Sequence, residues 1–387
     1  MRPILLNWSA SPTYGWGILG LNLFWRWASD SEVRPLMGAL ISEHDVAGYD
    51  PLRIYSAREA IMTSNRFQHE LARTRAMSVH VPVVHGLGNG LAGPETVRGP
   101  RNIGRCIFED TRLSGLDGKL AKYDILLTAS HWNARLLKAN CGKPIEIIFE
   151  GIDPALFHPA PKAGRLNSSR FYVFSGGKVE FRKGHDLVLR AFREFSKRHS
   201  DAVLVTAWHS PWPQMAAGFR GSLEHPLELT REGRIDVMGW VAKNGIDPNC
   251  VIELPQISNP VMPSVLREMD CAIAVSRAEA CTNLPATEAM ACGIPVILAP
   301  NTGVLDLARE DNCIRLTRQT PVTNVVESGT EGWGESDVEE IVAALERLYA
   351  DRAQAERIGS AGADWILKEN RTWAAHAERL KSLVLSL

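Results

Sequence analysis

At 387 residues, 45% of them apolar, the chain is too long for one ordinary core and suits two domains of about 150–200 residues. A formal net charge of −1 leaves no basic excess to bind nucleic acid, and no stretch approaches the roughly 20 apolar residues of a membrane span. The apolar run after Met1 is too short for a signal peptide and the seven cysteines lack metal spacing, so reduced thiols in a cytoplasmic protein are expected.

Taken in order, residues 4–8 read as a short strand, 9–20 as a polar loop, and 19–27 as a helix with Leu19, Leu23 and Trp27 on one face. Within the loop Gly15, Gly17 and Gly20 match the GxGxxG dinucleotide pattern. A dinucleotide site needs its first glycine at the strand's end, and here residues 9–14 intervene. A nicotinamide-dependent oxidoreductase is the alternative that this loop raises. Residues 79–84 read as a buried strand that delivers His85 to its carboxyl end, facing the crevice where open α/β sheets hold ligands. A histidine satisfied by nearby backbone fits the same position. Asn102-Ile103-Gly104 and Phe108-Glu109-Asp110 lie near another strand end. Strands follow at 123–128 and 145–149, the second running into Glu150-Gly151-Ile152-Asp153, and 159–169 reads as a linker. This βαβ rhythm implies a mostly parallel, doubly wound sheet.

The second half opens with a strand at 171–174 and a loop holding Gly177, Lys178, Arg182, Lys183 and Gly184, then an amphipathic helix to about Arg198. Cations and glycines at a strand's carboxyl end suit a diphosphate, and a solvated basic loop is the plainer reading. Strands are expected at 202–208, 235–240 and 251–254, and a helix at 261–269. A strand at 271–275 then leads to the small loop 280–283, a helix from Pro285 to Cys292 closed by Gly293, and a strand at 294–298. The loop's N–H groups and the helix N-terminus favour a phosphate there. Glu279 and Glu288 should therefore accept hydrogen bonds from sugar or ribose hydroxyls, unless both are simply exposed. Asn301-Thr302-Gly303 reads as pocket wall, and amphipathic helices are expected at 338–349 and 353–365.

The stretch from Ser276 to Pro300, SRAEACTNLPATEAMACGIPVILAP, resembles the signature of retaining glycosyltransferases of family 4, the "group 1" transferases. That signature separates two glutamates by seven residues. Glu279 and Glu288 are separated by eight, which reads as one extra residue in the 280–283 loop. Lys178 and Lys183 match the family's basic site for the leaving phosphates, Lys178 standing where arginine is more usual, and Arg182 adds a third cation. Segments 151–153, 157–159 and Thr372-Trp373 resemble further family markers.

The resemblance implies an α/β, GT-B fold, with two Rossmann-like doubly wound parallel-sheet domains facing across a cleft. Residues 1–162, completed by a returning 367–387, would form the acceptor side, and 163–366 the donor side. It implies transfer of a sugar, with retention, from a nucleoside-diphosphate-sugar to a glycan, lipid-linked or small-molecule acceptor. Polysaccharide biosynthesis is the setting it suggests, with peripheral membrane contact left open. On that reading Lys178, Lys183, Glu279 and His85 are catalytic, while Gly17, Gly177, Arg182, Thr282, Asn283, Leu284 and Glu288 bind the donor. The chain contains no Asp-x-Asp, so no metal or other cofactor is expected, the basic loop serving instead. A sugar-binding relative without catalysis is the remaining alternative.

Overall fold

Short apolar runs bounded by glycine and proline become strands, and the amphipathic segments between them become the helices that cover both faces. The computed structural model describes residues 1–94, 97–323, 325 and 328–387. Strands β1 (Arg2–Asn7), β2 (Val33–Met37), β3 (Val83–Leu87), β4 (Asn102–Cys106), β5 (Ile125–Thr128) and β6 (Ile145–Ile147) form a parallel sheet in the order β2-β1-β3-β4-β5-β6. Helices α1 (Gly15–Ala28), α2 (Pro51–Ser56), α3 (Arg58–Thr74), α4 (Asp117–Leu120) and α5 (His131–Asn140) lie between those strands.

The second parallel sheet runs β12-β11-β10-β7-β8-β9. Its strands are β7 (Phe171–Gly176), β8 (Ala202–Ala207), β9 (Val251–Glu253), β10 (Cys271–Ala274), β11 (Val296–Leu298) and β12 (Ile314–Arg315). Helices α6 (His185–Ser196), α7 (Val237–Lys243), α8 (Pro263–Leu266) and α9 (Leu284–Ala291) accompany it. A hairpin of β13 (Gln319–Pro321) and β14 (Gly334–Ser336) precedes α10 (Val338–Ala350), α11 (Arg352–Lys368) and α12 (Trp373–Ser386). Each sheet reverses its winding once, between β1 and β3 and between β7 and β10. Loops diverge at such a point, so ligands collect outside the carboxyl ends of those strands.

Helix α12 returns to the first sheet. Its Trp373, Ala377, Leu380 and Val384 join the core built on Ile4, Leu6 and Trp27, Trp27 Nε1 donates to the Ala377 carbonyl at 3.2 Å, and Lys381 Nζ reaches Asp30 at 2.9 Å. Where the chain passes between the sheets, Ile152 bridges Thr372. A Cβ on Gly151 would lie 2.3 Å from the Thr372 backbone, so only glycine lets the two crossings touch.

Three expected elements change. The strand expected at 235–240 is helix α7: Asp236 caps it by accepting from the Gly239 N–H at 2.8 Å, and Val237, Trp240 and Val241 share one buried face at helical spacing. The loop expected to run to Gly20 ends earlier, because α1 begins at Gly15. Gly17 and Gly20 lie inside that helix, where a Cβ would come within 2.5 Å of Ser11 and 2.8 Å of Trp8 respectively. The glycine run is thus a close-packing device, and the oxidoreductase alternative loses the feature it rested on. The strand expected at 79–84 runs instead from Val83 to Leu87, which places His85 within the sheet.

Candidate active site

Strands β7 and β10 are neighbours, so the loops that follow them leave the same edge of the sheet. After β7 the chain passes Gly177 (φ +118°) and a turn at Phe181–Lys183, then enters α6 at Gly184 (φ +70°). A Cβ on Gly184 would sit 2.4 Å from the Val275 carbonyl, so glycine is what brings this turn against the end of β10. The Arg277 N–H then donates to the Arg182 carbonyl at 2.6 Å. Arg277 secures the turn from beneath, with both guanidinium Nη atoms on Asp186 at 2.8 and 2.7 Å and a further bond to the Phe181 carbonyl at 2.7 Å.

This junction gathers the charged groups. Lys183 Nζ lies 2.7 Å from Glu279 Oε1 and Arg182 Nη1 lies 3.1 Å from Oε2. Glu279 also accepts from Ser276 Oγ at 2.6 Å and Asn283 Nδ2 at 2.9 Å. Asn283 adopts φ +65°, which asparagine tolerates, and its side-chain oxygen caps α9 by accepting from the Ala286 N–H at 3.3 Å. Pro285 occupies the first turn of that helix.

Between the two domains lies a cavity of about 470 Å³, within the roughly 300–1,000 Å³ typical of small-molecule sites. Gly177, Lys178, Arg182 and Lys183 line it from the first of these loops, and Glu279, Asn283, Leu284 and Glu288 from the second. The other three sequence-derived positions lie elsewhere. Gly17 faces Ser11 inside the first domain. Thr282 is buried beneath the loop beside Thr287, whose hydroxyl lies 3.5 Å from its carbonyl. His85 has one ring nitrogen 3.2 Å from Asn7 Nδ2 and the other 3.0 Å from Asn102 Oδ1, so its hydrogen-bonding capacity is used within the sheet, away from the cavity. Burial lowers its pKa, which keeps the ring neutral at pH 7. The Asn301–Gly303 turn supports the loop from behind rather than walling the cleft: Thr302 Oγ1 accepts the Glu279 N–H at 2.8 Å and the Gly303 N–H donates to the Glu279 carbonyl at 2.9 Å.

The cations are matched by carboxylates. Lys178 pairs with Glu180 at 2.7 Å and packs over the Trp212 ring, while Arg182 bonds Glu180 at 2.8 Å and Glu109 of the first domain at 3.2 Å. Burial would raise the Glu180 and Glu279 carboxyls, but the adjacent cations prevail: Glu180 falls to about 2 and Glu279 is held below its ordinary range. Burial would also lower Arg182, yet Glu109, Glu180 and Glu279 together raise it. The cradle is therefore an internally neutralised network whose cations an entering diphosphate would share.

Glu288 behaves oppositely. Burial pushes its carboxyl up to about 8 despite a hydrogen bond from Asn259 Nδ2. Its folded-state pKa is thus raised, so between about pH 4.5 and 8 the native protein holds a proton that the unfolded chain releases, and this group's contribution to stability is lost as pH rises through that window. Glu288→Gln should therefore become progressively more stable relative to the parent from pH 5.5 to 8, measured as the difference in Tm. A constant difference would contradict the buried, protonated state.

Sequence reasoning left Glu109, Glu150, Asn259 and Arg277 out of the site. Glu109 and Glu150 lie at strand ends and Arg277 in the signature stretch, so their positions are legible in the sequence while their partners are not. Asn259 had no local signal, since its role follows from contact with Glu288 across 29 positions of sequence. Among the described residues no group of three or more His, Cys, Asp or Glu side chains is placed to hold a metal ion. Nor, among them, is any helix long and apolar enough to cross a membrane.

Residues 170–351 match the family model described as glycosyl transferases group 1. No curated protein matches the chain. Among solved structures it resembles sucrose-phosphate synthase from Thermosynechococcus elongatus, with 16% identity and a TM-score of 0.67 over 100% of this chain and 99% of that one. It also resembles Anabaena HepE in complex with UDP-glucose, at 14% identity, a TM-score of 0.63 and full coverage of both chains. A glycosyltransferase from Rickettsia africae gives 11% identity and a TM-score of 0.66, covering 99% of this chain and 97% of that one. These likenesses extend over the full chain and show a GT-B fold.

Proposed function

We propose that this chain is a glycosyltransferase that cleaves a nucleoside-diphosphate-sugar in the interdomain cavity and passes the sugar, with retention, to a hydroxyl acceptor. The observation that carries the reading is the convergence of Lys183 and Arg182 on Glu279 beside the N-terminus of α9, inside the segment that matches the group 1 model. HepE has been solved with UDP and with UDP-glucose, which supports a uridine donor as the first to test.

When the bond from the anomeric carbon to the diphosphate breaks, negative charge grows on the leaving oxygen. Lys178, Arg182 and Lys183 are fixed by their carboxylate partners before ligand arrives, so they stabilise that charge with little reorganisation. Glu279, once the cations are shared with the diphosphate, accepts hydrogen bonds from sugar hydroxyls. Glu288 and Asn259 line the same cavity and suit the ribose hydroxyls. With three cations at the leaving group, no metal ion is required for this step.

The test is a panel of UDP-, GDP- and ADP-sugars, scored by thermal stabilisation and then by release of nucleoside diphosphate. At least one should stabilise the protein and be cleaved, and EDTA should change the rate less than two-fold. Stabilisation by none of them would remove the transferase reading, and a strict divalent-ion requirement would remove the role given to the basic loop.

A further inference from the structure

Glu150 is the cavity carboxylate for which the donor chemistry has no use. It follows β6, and it reaches the cavity from the first domain, whereas Glu279 and Glu288 reach it from the second. It is only 6% exposed, yet it lines the cavity. Glu109, Glu180 and Glu279 all form ion pairs with cations of the cradle; among the described residues Glu150 forms none. It shares the lining of that cavity with Cys281, Lys183 and Glu279. It therefore borders the same space as the groups assigned to the diphosphate and the sugar.

The surroundings explain how a carboxyl can be kept there. Arg105 is fully buried, its Nη1 bonded to the Thr128 and Ile148 carbonyls at 3.2 and 2.9 Å, while among the described residues its Nε and Nη2 have no hydrogen-bond partner. Burial raises the Glu150 carboxyl above its ordinary range, and the field of the Arg105 guanidinium opposes that rise without cancelling it. The backbone on either side is immobilised. His376 Nδ1 lies 2.8 Å from the Phe149 carbonyl, Ile152 N–H donates to the Arg371 carbonyl at 3.0 Å, and Gly151 is wedged on Thr372. The carboxylate is thus carried on a rigid crossing between the domains, which suits a group that must hold a substrate in one geometry.

We propose that Glu150 is a catalytic residue of the acceptor side: its carboxylate accepts the hydrogen bond of the acceptor hydroxyl and aims that oxygen at the anomeric carbon. The carboxylate takes the hydroxyl proton as the new C–O bond forms and the bond to the diphosphate breaks, the electron pair of the broken bond leaving with the diphosphate. The inference rests on the transferase reading above. Water is the acceptor when no other is supplied, so Glu150 also orients the water that slowly hydrolyses the donor.

The test compares the parent with Glu150→Gln and Glu150→Asp, using the sugar nucleotide that stabilises the parent best. Nucleoside diphosphate Kd should stay within two-fold of the parent in both variants, because Glu150 is assigned to the acceptor and the phosphates to Lys178, Arg182 and Lys183. Donor hydrolysis should fall by at least ten-fold in Glu150→Gln and partly recover in Glu150→Asp, where a carboxylate remains. Unchanged hydrolysis with intact nucleotide binding overturns this assignment alone, as does a parallel loss of both, which would mark Glu150 as structural. A parent that binds a donor without hydrolysing it also overturns the assignment. A parent that binds no sugar nucleotide overturns the transferase reading, and this one with it.

Discussion

Lys183→Ala is expected to slow nucleoside diphosphate release from the best donor by about 10²–10³-fold, the usual cost of removing one fixed charge-stabilising donor. Lys183 spends one of its three N–H bonds on Glu279, 2.7 Å away, and lines the cavity, so donors remain for a phosphate oxygen. Its charge matters most when the bond is nearly broken, so turnover should suffer more than nucleotide affinity. The fold should tolerate the change: Glu279 keeps Arg182, Ser276 and Asn283 as partners. A rate within three-fold of the parent, measured by single-turnover release, would mean that Lys183 only balances Glu279 and takes no part in the departure of the leaving group.

The second large effect concerns stability. Asp186→Ala should destabilise the second domain by about 3 kcal/mol, the low end for a broken buried pair. Arg277 loses the carboxylate bonded to both its Nη atoms and keeps as a carboxylate partner only the 38%-exposed Glu335, 2.6 Å from its Nε. Arg277 and Asp186 have side chains 1% and 0% exposed and meet through two nearly parallel bonds. Burial would raise the Asp186 carboxyl, and its bonds from Arg277 more than offset this, leaving it below the ordinary range. A drop in Tm on the order of 10 °C corresponds to that loss. The double variant Asp186→Leu with Arg277→Met should recover much of the stability, since replacing a whole buried pair is often nearly neutral. It should not recover turnover, because Arg277 also bonds the Phe181 carbonyl and holds the turn that carries Arg182 and Lys183. Calorimetry and donor cleavage measured together separate these outcomes. A single variant that melts within 2 °C of the parent would refute the buried-pair argument.

The two effects meet in one design. Within the turn, Glu180 offsets two of the three cations and Val179 anchors the segment in the core, which leaves Lys183 to be matched from outside. Arg277 fastens the turn from below and Glu279 from above. The first domain adds a third restraint through Glu109, whose backbone carbonyl also accepts from Trp333 Nε1 at 3.1 Å. Domain approach and cation placement are coupled at this point.

Local pattern was enough for the strand–loop–helix units around Lys183 and Glu279. A glycine-bounded apolar run, a proline in the first helical turn and a closing glycine are signals that each act within a few residues, and they do not depend on distant contacts. The same logic failed at 235–240, where a short apolar run fits either period and the Asp236 cap decided for helix. It failed again at Gly15–Gly20, where glycines that suggested a phosphate loop serve to seat α1 against Ser11 and Trp8.

What only the tertiary structure decided was pairing. His85 could face a ligand or its own sheet until Asn7 and Asn102 were brought to its two nitrogens, across 78 and 17 positions of sequence. Nor could the protonation of Glu288, or the availability of Glu150, be read from spacing, because both depend on how much water is excluded and which charges lie within a few ångströms. Sequence alone determined most of the elements and the chemical types at their ends; the meeting of two sheets determined which of those groups neutralise one another and which remain free for a substrate.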